Sequence, residues 1–472
     1  MSLRTQEDNS SGIERQGSLR CIRDGRIFER RQLPSNQDSL AFAGVYLFTL
    51  LLHVRPNDLV PGLVGSFPLI KIVAILTTLI YFASRLNGNR KLMSYPLEMK
   101  MVGLIAVLAI LFIPVATSPQ DSLDVLSDTF LKIVLIFALM LNVIGTSERL
   151  RSLLKLVLIC ETAFAIDAIR SFYAGEVDVS NRIRGAFVGG IFGNANDLAT
   201  SLIMYLPLAV AFALTNKGIL RLIYVACAVL MGVAVLISFS RAGFIGFIVA
   251  GGVLLWKLGR GKRVTWAASA VLLGGLLILL MPSGYGARVF TIFRPEADPT
   301  GSAQQRQMVL QHGVLVAARH AVIGIGMGNF HIYSFRELRA HNSWVEITAE
   351  LGVVGLLAYA TLIIAPLRSL RRIELETLGA KQTQSETYYF SVALQAMLAA
   401  YIVGNSFTSI QYYWFLYYAV AYAVALRKIH GLEQMEPMPE IWSGSAGVLW
   451  FHGAKGSLSE PVLLRSGPST NS

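Results

Sequence analysis

The chain has 472 residues, 54% of them hydrophobic and 15% charged, with a formal net charge of +12. Soluble domains carry roughly 25% charged residues. Repeated apolar runs near the ~20 residues that cross a hydrocarbon core exclude a soluble class and predict an all-α, polytopic membrane protein. The positive excess is read first against anionic lipid and second against an anionic substrate, with no nucleic acid partner expected.

Residues 1–38 hold seven arginines and six acids with no apolar stretch among them. They are expected to form a disordered cytoplasmic tail rather than a cleaved signal peptide. About twelve transmembrane helices of the usual length follow, at 40–54, 68–85, 97–115, 125–145, 150–170, 195–215, 219–238, 241–257, 264–281, 344–366, 387–407 and 411–427. Residues 39–430 thus form one multi-span domain. Residues 431–472, rich in Pro, Gly and Ser, read as a second disordered cytoplasmic tail. Lys and Arg concentrate in alternate short loops, among them Arg85, Arg149, Lys217, Lys257, Arg371 and Arg427. By the positive-inside rule both termini are cytoplasmic. Cys21, Cys160 and Cys227 are scattered and give neither a disulfide framework nor metal spacing.

Two outer segments break the pattern. One is 171–194, with Arg182 and Arg184 in a Gly-rich approach to a helix start at "GNANDLA". It reads either as an anion site or as a flexible turn. The other is 282–343, the large periplasmic loop, which carries Arg288 and Arg306 among six arginines; loops this long are usually functional. Inside it, Leu310, Val314, Ala317 and Ala321 recur at helical spacing and predict an amphipathic helix lying on the outer membrane surface or on the bundle. Its closing "GIGMGNF" has glycines spaced like a dinucleotide loop but lacks the strand and helix that such a site needs.

In "ISFSRAGFIGF", Arg241 falls at an outer turn with almost no loop to carry it to water. It is either a snorkelling anchor or a guanidinium aimed at phosphate oxygens. In "AHNSWVEITAELGVVG", Ser343 and Glu346 have the spacing of a capping box, which predicts a helix starting at Ser343. His341 and Asn342 precede it, beside the positive end of the helix dipole. That position favours a neutral imidazole suited to act as a base, and the competing reading is a surface histidine before a cap. Glu346 and Glu350 share one face, which should point into the bundle or a watery cavity. No Walker loop, zinc spacing or D-x-D pair occurs, so neither ATP hydrolysis nor metal-dependent sugar transfer is expected, and no cofactor.

Taken together, "FSRAGFIGF", "GNANDLA", and the run from Arg288 through "SAQQR" and "GIGMGNF" to "HNSWVEITAELGVVG" resemble the O-antigen ligase and polymerase superfamily, over roughly 40–430. The resemblance implies a metal-independent glycosyltransferase of the bacterial inner membrane. Its donor would be an undecaprenyl-diphosphate-linked glycan at the periplasmic face. Its acceptor would be a growing glycan, lipid A core or another molecule. By the same resemblance Arg184 and Arg241 hold the diphosphate, His341 activates the acceptor hydroxyl, and Arg288 and Arg306 line the loop side of the cavity, with Asn342 and Glu350 beside it. The alternative is a transporter or flippase of lipid-linked glycan, which would place charges near the midplane, where Lys132 and Glu161 are the main candidates.

Overall fold

The computed structural model describes residues 20–23, 26–29, 38–55, 69–87, 92–176, 194–261, 301–380 and 385–433, with isolated helical positions between 264 and 286. The body is all-helical: α1 (Ser39–Val54), α2 (Leu69–Asn87), α3 (Leu97–Leu111), α4 (Pro119–Asp124), a π-helical turn (Val125–Phe130) and α5 (Leu131–Val143). There follow α6 (Ser147–Tyr173), α7 (Ala195–Thr215), α8 (Gly218–Ile237), α9 (Arg241–Leu258), α10 (Ser302–Arg319), α11 (Ser343–Gly379), α12 (Glu386–Asn405) and α13 (Trp414–Glu433). One departure from an all-α chain is a two-stranded antiparallel ribbon, Arg20–Arg23 with Arg26–Glu29, in register Arg20 to Glu29. The rest of both tails, and so their expected disorder, lies outside the described residues.

Among the described residues, seven helices (α2, α3 with its 3-10 extension, α7, α8, α9, α11 and α12) are long and apolar enough to cross a membrane. The other expected spans are helical but differ in kind. α1 has only 16 residues. The span expected at 125–145 begins as a π turn, while α6 and α13 are interrupted by charged side chains such as Glu161 and Arg427. The span expected at 264–281 lies almost wholly outside the described residues.

Local chemistry fixes the helix starts. Asn194 accepts from the N–H of Asn196 (2.9 Å), Ser240 from Gly243 (3.1 Å) and Ser385 from Tyr388 (3.2 Å), each satisfying an amide that the first turn leaves orphaned. α7 and α12 form the centre, with 83% and 72% of their most apolar windows buried, whereas α2 has 17% and presents its apolar side outward. α7 packs on α8, α9 and α12, and α12 packs on α9, α11 and α13. Since α7, α9 and α11 run parallel and α12 antiparallel, one end of the bundle collects the starts of α7, α9, α11 and α13. The other end collects ion pairs between helix termini: Arg427 with Glu98, Arg85 with Asp38, Arg151 with Glu386 and Lys257 with Glu374.

Candidate functional site

The site is built where α11 begins. α11 is two helices, broken at Gly352 (φ 68°, ψ −174°), a conformation that is essentially open only to glycine. A Cβ there would meet the carbonyl oxygen of Ala321 at 2.9 Å. The break frees backbone groups, and the loop takes them up. Ile325 N–H donates to Ala349 O (2.9 Å), Gly326 N–H to Glu350 O (3.1 Å), and Val353 N–H to Ala321 O (2.7 Å). The glycines of "GIGMGNF" are there for close approach: a Cβ on Gly324 would lie 2.0 Å from Glu350 O, and one on Gly328 2.7 Å from Val125. Asn329 completes the clamp, accepting from Ser118 N–H (2.7 Å) and donating to Ser122 Oγ (2.8 Å).

α10 packs on this clamp through Val309, Val316 and Ala317, which join Ile325, Phe330, Ala340 and Ala349 in a small core of its own. Burying each larger side chain there contributes roughly 1.5–3 kcal/mol. The helix is where its spacing placed it. Ala317 of the expected apolar face is buried against the bundle while Val314 is 50% exposed, and Gly313 faces in, where Phe330 and Val345 leave no room for a Cβ. This orientation brings Arg306 to His341. Gln305, Arg306, Val309, Leu338 and His341 line one cleft of about 100 Å³.

His341 sits at φ 50°, in the left-handed region, and its backbone N–H donates to Ser409 Oγ (3.1 Å). Ser409 Oγ in turn donates to the buried carboxylate of Glu346. Burial pulls the half-buried imidazole down to about 4, and the charges of Arg306 and Arg339 push the same way. At neutral pH the ring is therefore uncharged. Among the described residues nothing hydrogen-bonds to its nitrogens, which leaves one free to take a proton.

Asn342, not Ser343, caps α11: its side-chain oxygen accepts from the N–H of Trp344 and of Val345, both at 3.1 Å. The S-x-x-E pattern misleads because Ser343 Oγ is used across the bundle, donating to Thr408 O (2.8 Å) and accepting from Ile410 N–H (2.9 Å). Glu350 is buried behind the cleft rather than lining it. Its carboxylate accepts from Tyr412 Oη (2.8 Å) and from Phe330 N–H (3.3 Å), so it braces the loop.

Arg241 is the first residue of α9, half-buried, at the same end of the bundle. Its neighbour Ser240 donates to Asn196 (2.9 Å), which joins "SFSRAG" to "GNAND" and aligns the starts of α7 and α9. Arg184 and Arg288 lie outside the described residues. Neither Ser409 nor Gln305 is singled out by the sequence, although Gln305 lies within "SAQQR". Ser409 belongs to "NSFTSIQ", a polar break between two apolar helices, and that break was the only hint available. Among the described residues no group of three or more His, Cys, Asp or Glu is placed to hold a metal ion.

No curated protein matches the chain. Residues 226–360, from the middle of α8 through α9 and α10 into α11, match the family model described as O-Antigen ligase. That segment, under a third of the chain, is similar to the O-antigen ligase family and contains Arg241, Arg306, His341, Asn342 and Glu350.

Proposed function

We propose that the protein is a membrane glycosyltransferase that transfers or polymerises glycan from an undecaprenyl-diphosphate-linked donor at the periplasmic face of the inner membrane, without a metal. The acceptor is a growing glycan, lipid A core or another hydroxyl-bearing molecule. The observation that carries this reading is the shared cleft: a neutral imidazole, His341, opposite a guanidinium, Arg306.

The acceptor oxygen attacks the anomeric carbon of the donor sugar, and its proton passes to a ring nitrogen of His341. The bond from that carbon to the phosphate oxygen breaks, and the electron pair leaves on undecaprenyl diphosphate. The leaving group needs charge neutralisation rather than a proton. We assign this to Arg306 from the loop side and to Arg241, at its helix N-terminus, from the bundle side. By resemblance Arg184 is assigned to the diphosphate as well, and Arg288 to the loop side of the cavity. An imidazole held near 4 is a weak base in the empty site. A diphosphate beside Arg306 and Arg339 offsets the charges that depress it and strengthens the base as substrate binds. The large loop and the twelve-span, cytoplasmic-termini topology belong to this reading.

The test is release of undecaprenyl diphosphate and growth of glycan from a lipid-linked oligosaccharide in vesicles, comparing wild type with His341→Ala. Full activity of that variant overturns the base assignment.

One observation favours the transporter reading. Glu161 is buried halfway along α6, with Ser201 Oγ donating to it (2.6 Å) and His53 Nε2 at 3.9 Å. Buried ionisable groups at that depth are characteristic of ion-coupled carriers. Lys132, by contrast, lies at the start of α5 and hydrogen-bonds the backbone of Asp128. Movement of intact lipid-linked glycan across the vesicle bilayer, with no diphosphate released, would establish that reading instead.

A further inference from the structure

We propose that the end of the bundle opposite His341 holds a binding site for the headgroup of an anionic phospholipid, built by Lys257, Arg260 and Arg371 around Trp256. The first observation is an imbalance of charge. Glu374 is fully buried and faces Lys257 at 2.5 Å, Arg260 at 3.0 Å and Arg371 at 3.0 Å. Gln395 donates to it as well, at 3.0 Å. Three cations against one carboxylate leave two positive charges. Other carboxylates at this end are turned elsewhere, Glu386 to Arg151 and Glu376 to His430. Cations gathered in a partly desolvated place repel one another, and an anion offsets that cost.

The second observation is Trp256. Its indole is 65% exposed, yet Lys257 Nζ lies 5.3 Å from the ring centre and the guanidinium carbons of Arg260 and Arg371 each lie 5.9 Å from it. An exposed indole at the end of an apolar helix is suited to headgroup depth, and its face holds the cations in place. The side chains of Arg260 and Arg371 are 30% and 39% exposed, so neither is sealed from a phosphate at this surface.

The third observation selects a lipid over a soluble anion. On α11, Leu357 and Ile364 precede Arg371 at seven-residue intervals, hence on one face, and are 61% and 43% exposed. On α9, Ile248 precedes Trp256 by eight residues and is 56% exposed. Both helices thus lead an outward apolar face to the cationic cluster, an arrangement that accepts an acyl chain below its phosphate.

The full chain in a zwitterionic detergent, offered equal amounts of phosphatidylglycerol and phosphatidylcholine, is to be read by native mass spectrometry. Wild type should retain phosphatidylglycerol preferentially, and Arg260→Gln/Arg371→Gln should lose that preference by on the order of thirtyfold, from about 1 kcal/mol per arginine. Millimolar inorganic phosphate should not displace the lipid. Trp256→Leu leaves every ion pair in place and should also weaken retention without shifting the unfolding midpoint, which keeps the test informative if the double variant misfolds. Equal retention of the two lipids by wild type, unchanged preference in Trp256→Leu and in any folded arginine variant, or competition by free phosphate would each overturn the proposal.

Discussion

The backbone N–H of His341 donates to the hydroxyl of Ser409 at 3.1 Å across 68 positions of sequence. That hydroxyl also donates to Glu346, so one small side chain fixes the strained His341 backbone and satisfies a buried carboxylate. Ser409→Ala leaves both groups unpaired, each at a cost of about 1–3 kcal/mol. We expect a tenfold to hundredfold loss of glycan transfer, with Ser409→Thr recovering most of it. Initial rates of the three proteins in matched vesicles check this, and an active Ser409→Ala would show that His341 needs no such tether.

The depressed His341 sets a pH dependence. Because its folded value of about 4 lies below the ordinary 6.5, the unfolded chain takes up the proton first. This group's contribution to stability is therefore present above 6.5 and is lost as pH falls from 6.5 towards 4. For activity, the acid limb of kcat/KM should lie nearer 4 than 6.5, since that ratio reports the free enzyme. Removing one repelling charge with Arg306→Gln should move the limb upward. A kcat/KM profile from pH 4 to 8 for both proteins decides it.

Gly352→Ala should cost about 1–3 kcal/mol from backbone conformation alone. Contact with Ala321 O adds to that. The expected signature is a lower unfolding midpoint together with a fall in kcat, because the loop carrying the Arg306 helix shifts. Gly251→Ala, where a Cβ meets nothing within 4 Å, serves as the control and should be neutral or slightly stabilising. Thermal unfolding of both variants in detergent measures the difference.

Glu350 separates a brace from a reacting group. Glu350→Gln keeps its amide oxygen as acceptor for Phe330 N–H and can donate its NH2 to Tyr412 Oη, whose hydroxyl turns to accept, so activity should stay within about threefold of wild type, whereas Glu350→Ala strands buried donors at about 1–3 kcal/mol each and should lose both stability and activity. A Glu350→Gln enzyme that folds normally but is dead would place the carboxylate in the chemistry.

Long apolar runs ending in polar caps were the most legible part of the sequence. The expected 195–215, 219–238 and 241–257 lie within a residue of α7, α8 and α9, because length and hydropathy agree there, joined by a capping Asn at α7 and a capping Ser at α9. The candidate histidine was legible too, since its place beside a helix start depends on neighbours in sequence. What failed depended on distant partners. The cap of α11 was assigned one residue late because Ser343 is engaged by Thr408 and Ile410. Which side of α10 meets the bundle is not legible in its own spacing, because Phe330 selects Gly313 there. Ser409 was invisible, as it is an ordinary serine until the hairpin of α12 and α13 delivers it to His341.

The break at Gly352 has a mechanical consequence. Its three backbone bonds stitch residues 321–326 to 349–353 much as a strand is stitched to its neighbour. Two of these bonds hold the first turns of α11 and the third holds the segment just past Gly352, so the glycine loop is tied to both sides of the interruption. Under the proposed function, any widening of the cleft for a lipid-linked glycan must therefore move the loop and both halves of α11 together, and His341 with them.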